Sequence, residues 1–439
     1  MADIKKITAE IEIPQIVVDD IKREVKNIPE LKRKIERSLN KQVSALIEII
    51  LTGSFFLDGS DVHIEPEEER AKFRLRVDGV LHDVLYFDLN IYKKLVTRLK
   101  LLSKLKLNVT TRPQDGRFSI IIEGVSIEIR TSSIPAEYGE SIVLRILNPK
   151  WVVTMADLGL RDDLMEIFKR EIEKPNGMII CTGPTGSGKT TTLYAFLKEI
   201  ASPEIKIITI EDPIEYHLEG VSQTQVDKSK GYDFANGLRA IVRQDPDVIL
   251  VGEIRDLETA QISLQAALTG HLVLSTVHTN DAAGTIARIQ ALGEKPANIA
   301  PAINMAIGQR LVRKVCQKCV QFEEASKEEL SKFEVLKKLP KQIKVPEIKP
   351  GIKIPKNRGC EDCNFTGYKG RLGIFEAFVV DDDMERFILT SPSIADMRDR
   401  AIKKGMVLMH EDGLIKVLQG ITTIEEVERA TGKKETCYE

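Results

Sequence analysis

The spacing of apolar residues changes several times along the chain. From Ile28, the residues Leu31, Ile35, Leu39, Val43, Leu46, Ile47 and Ile50 recur at helical spacing and predict one long amphipathic helix. Phe73, Leu75 and Val77 then alternate ahead of Asp78-Gly79, a hairpin signal. Tyr92, Leu95, Val96, Leu99 and Leu102 write a second helix. After it, Phe118, Ile120 and Ile122, a break at Gly124, and Val125, Ile127 and Ile129 write a second hairpin. Residues 28–146 therefore read as an α+β domain with an antiparallel sheet, behind an extension of residues 1–27.

Residues 147–160, "LNPKWVVTMADLGL", lose this periodicity and are the expected linker. From 161 to 310 the apolar residues gather in short runs, "GMIIC", "IKIITIE", "DVILVGE" and "HLVLSTV", separated by helical stretches. Such runs predict a parallel sheet covered on both faces, hence an α/β core. Each run is followed at once by polar residues, and ligands of such sheets bind at the carboxyl ends of the strands. Residues 311–375 hold two cysteine pairs around a Lys-, Glu- and Pro-rich stretch, read as a solvated insertion in a metal lobe. Residues 376–439 read as charged helix.

Composition narrows the class. The 64 basic side chains nearly balance 66 acidic ones for a formal charge of -2, and aromatics are 5%. Nucleic-acid channels use basic and stacking groups, so no nucleic-acid partner is expected. No apolar run reaches the roughly 18 residues of a spanning helix, and "MADIKKITAE" lacks the apolar stretch of a signal peptide. A cytoplasmic location is expected.

The strongest chemical signal is "CTGPTGSGKTTT", residues 181–192. Gly183, Pro184, Thr185, Gly186, Ser187, Gly188, Lys189 and Thr190 form a phosphate-binding loop, with Thr191 following. A triphosphate is a polyanion. The loop answers it with backbone N–H groups that only glycines let approach closely, and with the positive end of the next helix. Lys189 is expected to reach the β- and γ-phosphates of ATP and Thr190 to hold Mg²⁺. Leu193, Phe196, Leu197 and Ile200 mark the helix that this motif requires.

Two strand ends carry carboxylates. "ITIEDPIEY" ends with Glu211 and Asp212 and "VILVGEIRD" with Glu253, where Gly252 takes the place of the usual Asp. A carboxylate there can orient or deprotonate water in line with the γ-phosphate; the bland alternative is a solvated strand end. His271 precedes the run "HLVLSTV" and His278 follows it, which places His278 better for γ-phosphate contact. Cys316, Cys319, Cys360 and Cys363 form two C-x-x-C pairs suited to a closed tetrahedral Zn²⁺ site without catalytic role, or else four reduced thiols. Cys181 reads as a core thiol and Cys437 as a surface one.

In this order the motifs resemble the type II secretion and type IV pilus assembly ATPases, the GspE/PilB family. Residues 183–190 resemble its Walker A segment, "ITIEDPIEY" its Asp box, "ILVGEIRD" its atypical Walker B and "TGHLVLSTVHTNDA" its His box. "SDVHIEP", "RPQDGR" and "IRTSSIP" are similar to segments of its second N-terminal domain. The resemblance covers roughly residues 44–439. It implies a RecA-like P-loop core behind a PAS-like α+β domain, with a zinc lobe and a helical C-terminus.

It also implies a homo-hexameric cytoplasmic motor, peripheral on the inner membrane, that drives a platform protein. N-terminal arginines are implied to reach the nucleotide, with Arg117 and Arg130 first and Arg112 and Arg145 behind. Such an arginine can be worth about 10³ to 10⁵ in rate; the alternative is a surface ion pair. Retraction ATPases of the superfamily lack the tetracysteine lobe, so its presence points to assembly or secretion. Many members have a further N-terminal domain that docks to a membrane partner. Either this chain is a trimmed form or its recruitment differs. The segment between the cysteine pairs exceeds the usual family spacing. Two other readings stay open at this level, a P-loop nucleic-acid translocase and a nucleotide-gated scaffold without turnover.

Overall fold

The computed structural model describes residues 10–148 and 153–432. Two compact units emerge. The first contains the chain up to Trp151 together with Cys316–Val320 and Arg358–Lys369; the second contains Val152–Val315, Gln321–Asn357 and Gly370 onward. Cys316, Cys319, Cys360 and Cys363 thus all fall in the first unit.

The first unit is built on a seven-stranded sheet of order β1-β5-β6-β7-β2-β3-β4. Its strands are β1 (Glu10–Glu12), β2 (Gly59–Pro66), β3 (Arg70–Val77), β4 (Val80–Asp88), β5 (Gln114–Ile122), β6 (Val125–Ala136) and β7 (Gly139–Leu147). Both expected hairpins form. Asp78 and Gly79 at their turn have φ of 49° and 81°, Glu123 and Gly124 have 51° and 78°, and these left-handed pairs match the twist of the flanking strands. One face carries Phe73, Phe118, Ile120, Ile129 and Leu144 into the core, where the helices Val43–Phe56 and Leu89–Leu102 cover it.

The long helix expected from Ile28 is two helices, Ile28–Glu36 and Val43–Phe56. The break falls at Arg37-Ser38-Leu39-Asn40, where Ser and Asn favour a turn over continued helix. The second helix is buried on nearly all sides, so it cannot share one amphipathic face with the first. The expected extension contributes β1, paired in parallel with β5, and the helix Gln15–Glu24, whose Val18 and Ile21 are buried.

The second unit holds a seven-stranded sheet of order β10-β9-β11-β12-β8-β13-β16. Its strands are β8 (Gly177–Thr182), β9 (Ile207–Glu211), β10 (Val221–Gln225), β11 (Val248–Val251), β12 (Leu272–Val277), β13 (Ile303–Val315) and β16 (Tyr368–Val379). A separate pair, β14 (Gln321–Glu324) and β15 (Lys353–Lys356), is antiparallel. The four apolar runs of the sequence are β8, β9, β11 and β12, all parallel and buried.

The Lys-rich stretch after Val320 is not simply solvated. Phe333, Leu336, Ile343 and Ile354 are buried against Leu414, Ile415, Val417 and Val427 of the last two helices, Met409–Leu418 and Ile424–Thr431. Part of the expected linker and Cys437 lie outside the described residues.

Candidate active site

The loop after β8 is shaped by its neighbours. Gly183, Gly186 and Gly188 all have left-handed φ, 151°, 81° and 89°. A Cβ on Gly183 would stand 2.6 Å from Gln309 O and from Ser187 Oγ, and one on Gly188 2.8 Å from Gln309 Nε2, so β13 leaves no room for side chains there. At Gly186 a Cβ would meet nothing within 4 Å. Pro184, Thr185 and Gly186 are exposed and Thr190 and Thr191 half-buried.

Lys189 opens the helix Lys189–Ile200 and turns its Nζ back on the loop, donating to the carbonyls of Gly183 (2.8 Å) and Pro184 (3.2 Å). Burial pushes its ammonium below the usual lysine range, while Cys181 and Glu253 act to lift it. Ser187 Oγ is buried without a hydrogen-bond partner. An orphaned hydroxyl and an ammonium parked on carbonyls are the donors that a phosphate would satisfy, so the residues present fit a bound triphosphate.

Strand order assembles the rest. β12 lies between β8 and β11, so the loop, Glu253 and His278 all emerge at one carboxyl edge. His278 Nε2 is 3.2 Å from Glu253 Oε2, and Arg255 Nε is 2.7 Å from the same oxygen. Thr182 Oγ1 accepts from Thr279 N at 2.9 Å, tying the segment after His278 to the end of β8. A Cβ at Gly252 would stand 3.3 Å from Ile210 O, the atom that accepts the Gly252 N–H at 2.8 Å. A side chain there would press on β9, and the acid of this strand end follows at Glu253. His271 sits at the amino end of β12, its Nδ1 3.0 Å from Ala266 O, away from this edge.

Glu211 is turned inward. Its carboxylate accepts from Thr209 Oγ1 (2.6 Å), Gln223 Nε2 (3.3 Å) and the Tyr194 hydroxyl, and burial raises its pKa. Tyr194 belongs to the helix that begins at Lys189, so the carboxylate ties that helix to the end of β9. Asp212, next to it, is exposed.

The arginines of the first unit fall in register. Arg117 on β5 is opposite Arg130 on β6, Arg130 is opposite Arg145 on β7, Arg145 is opposite Asp61 on β2, and Asp61 is opposite Arg76 on β3. Cross-strand partners share a face, so four guanidinium groups stand in one row with one carboxylate. Asp61 binds Arg145 at 3.1 Å and Arg76 at 3.3 Å, and Arg130 meets Glu128 at 3.2 Å. Arg117 is exposed, as is Arg112 just before β5. Like charges directly opposite cost sheet stability, so the row calls for a reason other than folding.

The four cysteines converge within the first unit. All four Sγ atoms lie within 4.8 Å of one another, with Cys316–Cys360 at 3.9 Å, Cys319–Cys363 at 3.8 Å and Cys360–Cys363 at 3.8 Å. Tetrahedral Zn–S bonds of about 2.3 Å require S···S edges of about 3.8 Å, so the cluster fits the ion. The N–H groups of Cys360 and Gly367 both point at Cys363 Sγ at 3.2 Å, holding it as a thiolate would be held.

Sequence reasoning missed Arg255, Tyr194 and the Gln309-Arg310 pair. Arg255 lies inside the quoted "VILVGEIRD", where its carboxylate neighbour was the available signal. Tyr194 lies in the helix of the phosphate loop, on no position the motif specifies, and Gln309-Arg310 come from a segment with no motif of its own.

The model of the family described as "Type II/IV secretion system protein" matches residues 36–429. The chain is 41% identical over 414 residues to Type II secretion system ATPase E of Vibrio cholerae, covering 94% of this chain and 80% of that protein. It is 42% identical over 382 residues to Type IV pilus assembly ATPase PilB of Thermus thermophilus, covering 87% of this chain but 42% of that one. Among solved structures, the pilus retraction motor PilT with bound ADP is similar at TM-score 0.58 and 25% identity, over 88% of this chain and 96% of that one. The Legionella pneumophila ATPase DotB shares the fold at TM-score 0.64 and 22% identity, over 89% and 96%. The chain thus belongs to the type II/IV secretion system protein family, as an ATPase of the type II secretion and type IV pilus assembly kind.

Proposed function

We propose that this chain is the subunit of a homo-hexameric ring that hydrolyses ATP to assemble type IV pili or a type II secretion pseudopilus through an inner-membrane platform protein. The observation that carries the reading is the convergence of the phosphate loop, Glu253 and His278 on one sheet edge. Backbone N–H groups from Thr185 to Thr190 and the helix start grip the phosphates, and Lys189 exchanges its two carbonyls for phosphate oxygens. The Thr190 hydroxyl would hold Mg²⁺, which when bound neutralises charge on the β- and γ-oxygens. Glu253, fixed by Arg255 and His278, orients the attacking water and takes its proton.

Glu211 works from the interior, positioning the phosphate-loop helix through Tyr194. Arg117 and Arg130 are the arginines proposed to serve the transferred phosphoryl group. Cys316, Cys319, Cys360 and Cys363 would hold a structural zinc. Metal analysis of gently purified protein tests this, with zinc expected and its absence returning the cysteines to plain thiols.

Among the described residues no helix is long and apolar enough to cross a membrane, so association with the cytoplasmic face of the inner membrane is proposed to run through partners. Native mass measurement, with phosphate release followed as the cytoplasmic domain of a platform protein is added, tests the motor. A six-subunit particle stimulated by that domain is expected. A particle indifferent to it and stimulated by single-stranded DNA would replace the motor with a translocase.

A further inference from the structure

The least explained charge near the phosphate loop is Arg310. It extends β13 past the point where Gly308 pairs with Thr182, and so lies beyond the carboxyl end of β8, beside the loop. Its Nη1 would stand 3.2 Å from a Cβ on Gly183, against the first glycine of the motif. The guanidinium rests on two main-chain carbonyls, with Nη1 donating to Gln309 O at 3.0 Å and Nη2 to Asn280 O at 2.7 Å. Among the described residues no carboxylate forms an ion pair with it; Asp281 and Glu376 act on it only at longer range.

Those two acids are occupied elsewhere. Asp281 binds Arg398 and accepts the Gly284 N–H, and Glu376 accepts the N–H groups of Ala282 and Met409. Burial holds the Arg310 pKa below the usual arginine range, and the same cation depresses Lys189. Two cations thus stand at the base of one loop, both half-desolvated and both held on carbonyls. That arrangement is costly unless an anion arrives to share them.

We infer that Arg310 is a nucleotide-binding residue, a second cation supplied by the same chain that pairs with the polyphosphate alongside Lys189. Through Nη2 and Asn280 it also connects the occupied loop to the segment two residues beyond His278. Gln309 prepares the site. Its Oε1 accepts from Thr192 Oγ1 at 2.9 Å and fixes β13 to the phosphate-loop helix, so Arg310 is presented from a rigid element. The inference rests on the nucleotide-hydrolysing reading of the phosphate loop.

The test is titration of the full chain with a fluorescent Mg-ATP analogue, at low and high salt, for wild type, Lys189→Ala, Arg310→Ala and Arg310→Lys, with melting temperatures taken alongside. Arg310→Ala is expected to weaken binding about tenfold or more and to flatten its salt dependence, raising KM more than it lowers kcat. Arg310→Lys, which keeps the charge, is expected to recover most of the loss. Wild-type affinity in Arg310→Ala would overturn the inference. So would equal loss in both variants with a collapsed melting temperature, since that outcome assigns Arg310 to the fold. If wild type and Lys189→Ala alike bind no Mg-ATP, the nucleotide reading itself falls, a result distinct from either.

Discussion

The two seven-stranded sheets of this chain place their chemistry differently. In the second unit the strands β8, β9, β11 and β12 run parallel and are buried on both faces, so their few polar side chains, Thr182, Thr209, Glu211, Ser275 and Thr276, face the interior. The candidate chemistry gathers at the carboxyl edge, mainly in the loops after Thr182, Val251 and Val277, where strand ends and helix starts meet. In the first unit most strands are antiparallel and one face is covered by helices, leaving the other face polar. There the notable feature is a row across the strands, Arg117, Arg130, Arg145, Asp61 and Arg76. A parallel sheet concentrates function at an edge; an antiparallel one can spread it over a face.

Emptying the row tells a functional array from a structural one. Arg117→Ala with Arg130→Ala is expected to lower kcat for phosphate release by about 10³-fold or more if these arginines serve the phosphoryl group. The first unit should lose little stability, because removal of like charges directly opposite offsets the lost Arg130–Glu128 pair. Full turnover with a destabilised unit would make the row a structural feature.

A smaller effect is expected from the ionic core of the second unit. Asp412 is fully buried and accepts from Phe375 N at 2.8 Å, Lys416 Nζ at 2.5 Å and Arg161 Nη1 at 2.8 Å. Asp412→Ala leaves Lys416 unpaired in the interior and Arg161 with Asp163 alone, and should destabilise that unit by about 3–5 kcal/mol, read as a lowered melting temperature. An unchanged melting temperature would show that the network relaxes into solvent.

What the sequence made legible follows the same division. Turn chemistry at Asp78-Gly79 and Glu123-Gly124 and the four apolar runs were readable because each signal is local. The phosphate loop was readable because its glycines answer a local backbone demand. Arg310 and Gln309 were not, since their importance arises only when β13 lies against β8, and β13 carries no motif. The interior aim of Glu211 was hidden for a like reason: Tyr194, Thr209 and Gln223 come from three different elements. Phe333 and Ile354 were masked by surrounding lysines, although their apolar neighbours arrive from the last two helices.

The smallest effect is expected from Glu211→Gln, at the buried end of β9. Burial raises the folded-state pKa of Glu211, so in the folded protein it holds its proton over a range where the unfolded carboxyl has lost it. Stability therefore falls as pH rises from the ordinary carboxylate range through the raised value. The glutamine variant should flatten that fall, leaving a residual slope from Glu376, whose pKa is raised for the same reason. An unaltered slope would mean that the carboxylate is not desolvated.

The proposed motor requires that Mg-ATP be held by Lys189 and cleaved with help from Glu253. Phosphate release and Mg-ATP binding, measured together on the assembled full chain, decide it. The expected result is turnover in wild type, loss of both binding and turnover in Lys189→Ala, and retained binding with turnover lowered about 10²-fold or more in Glu253→Gln. Undiminished phosphate release in either variant would contradict it.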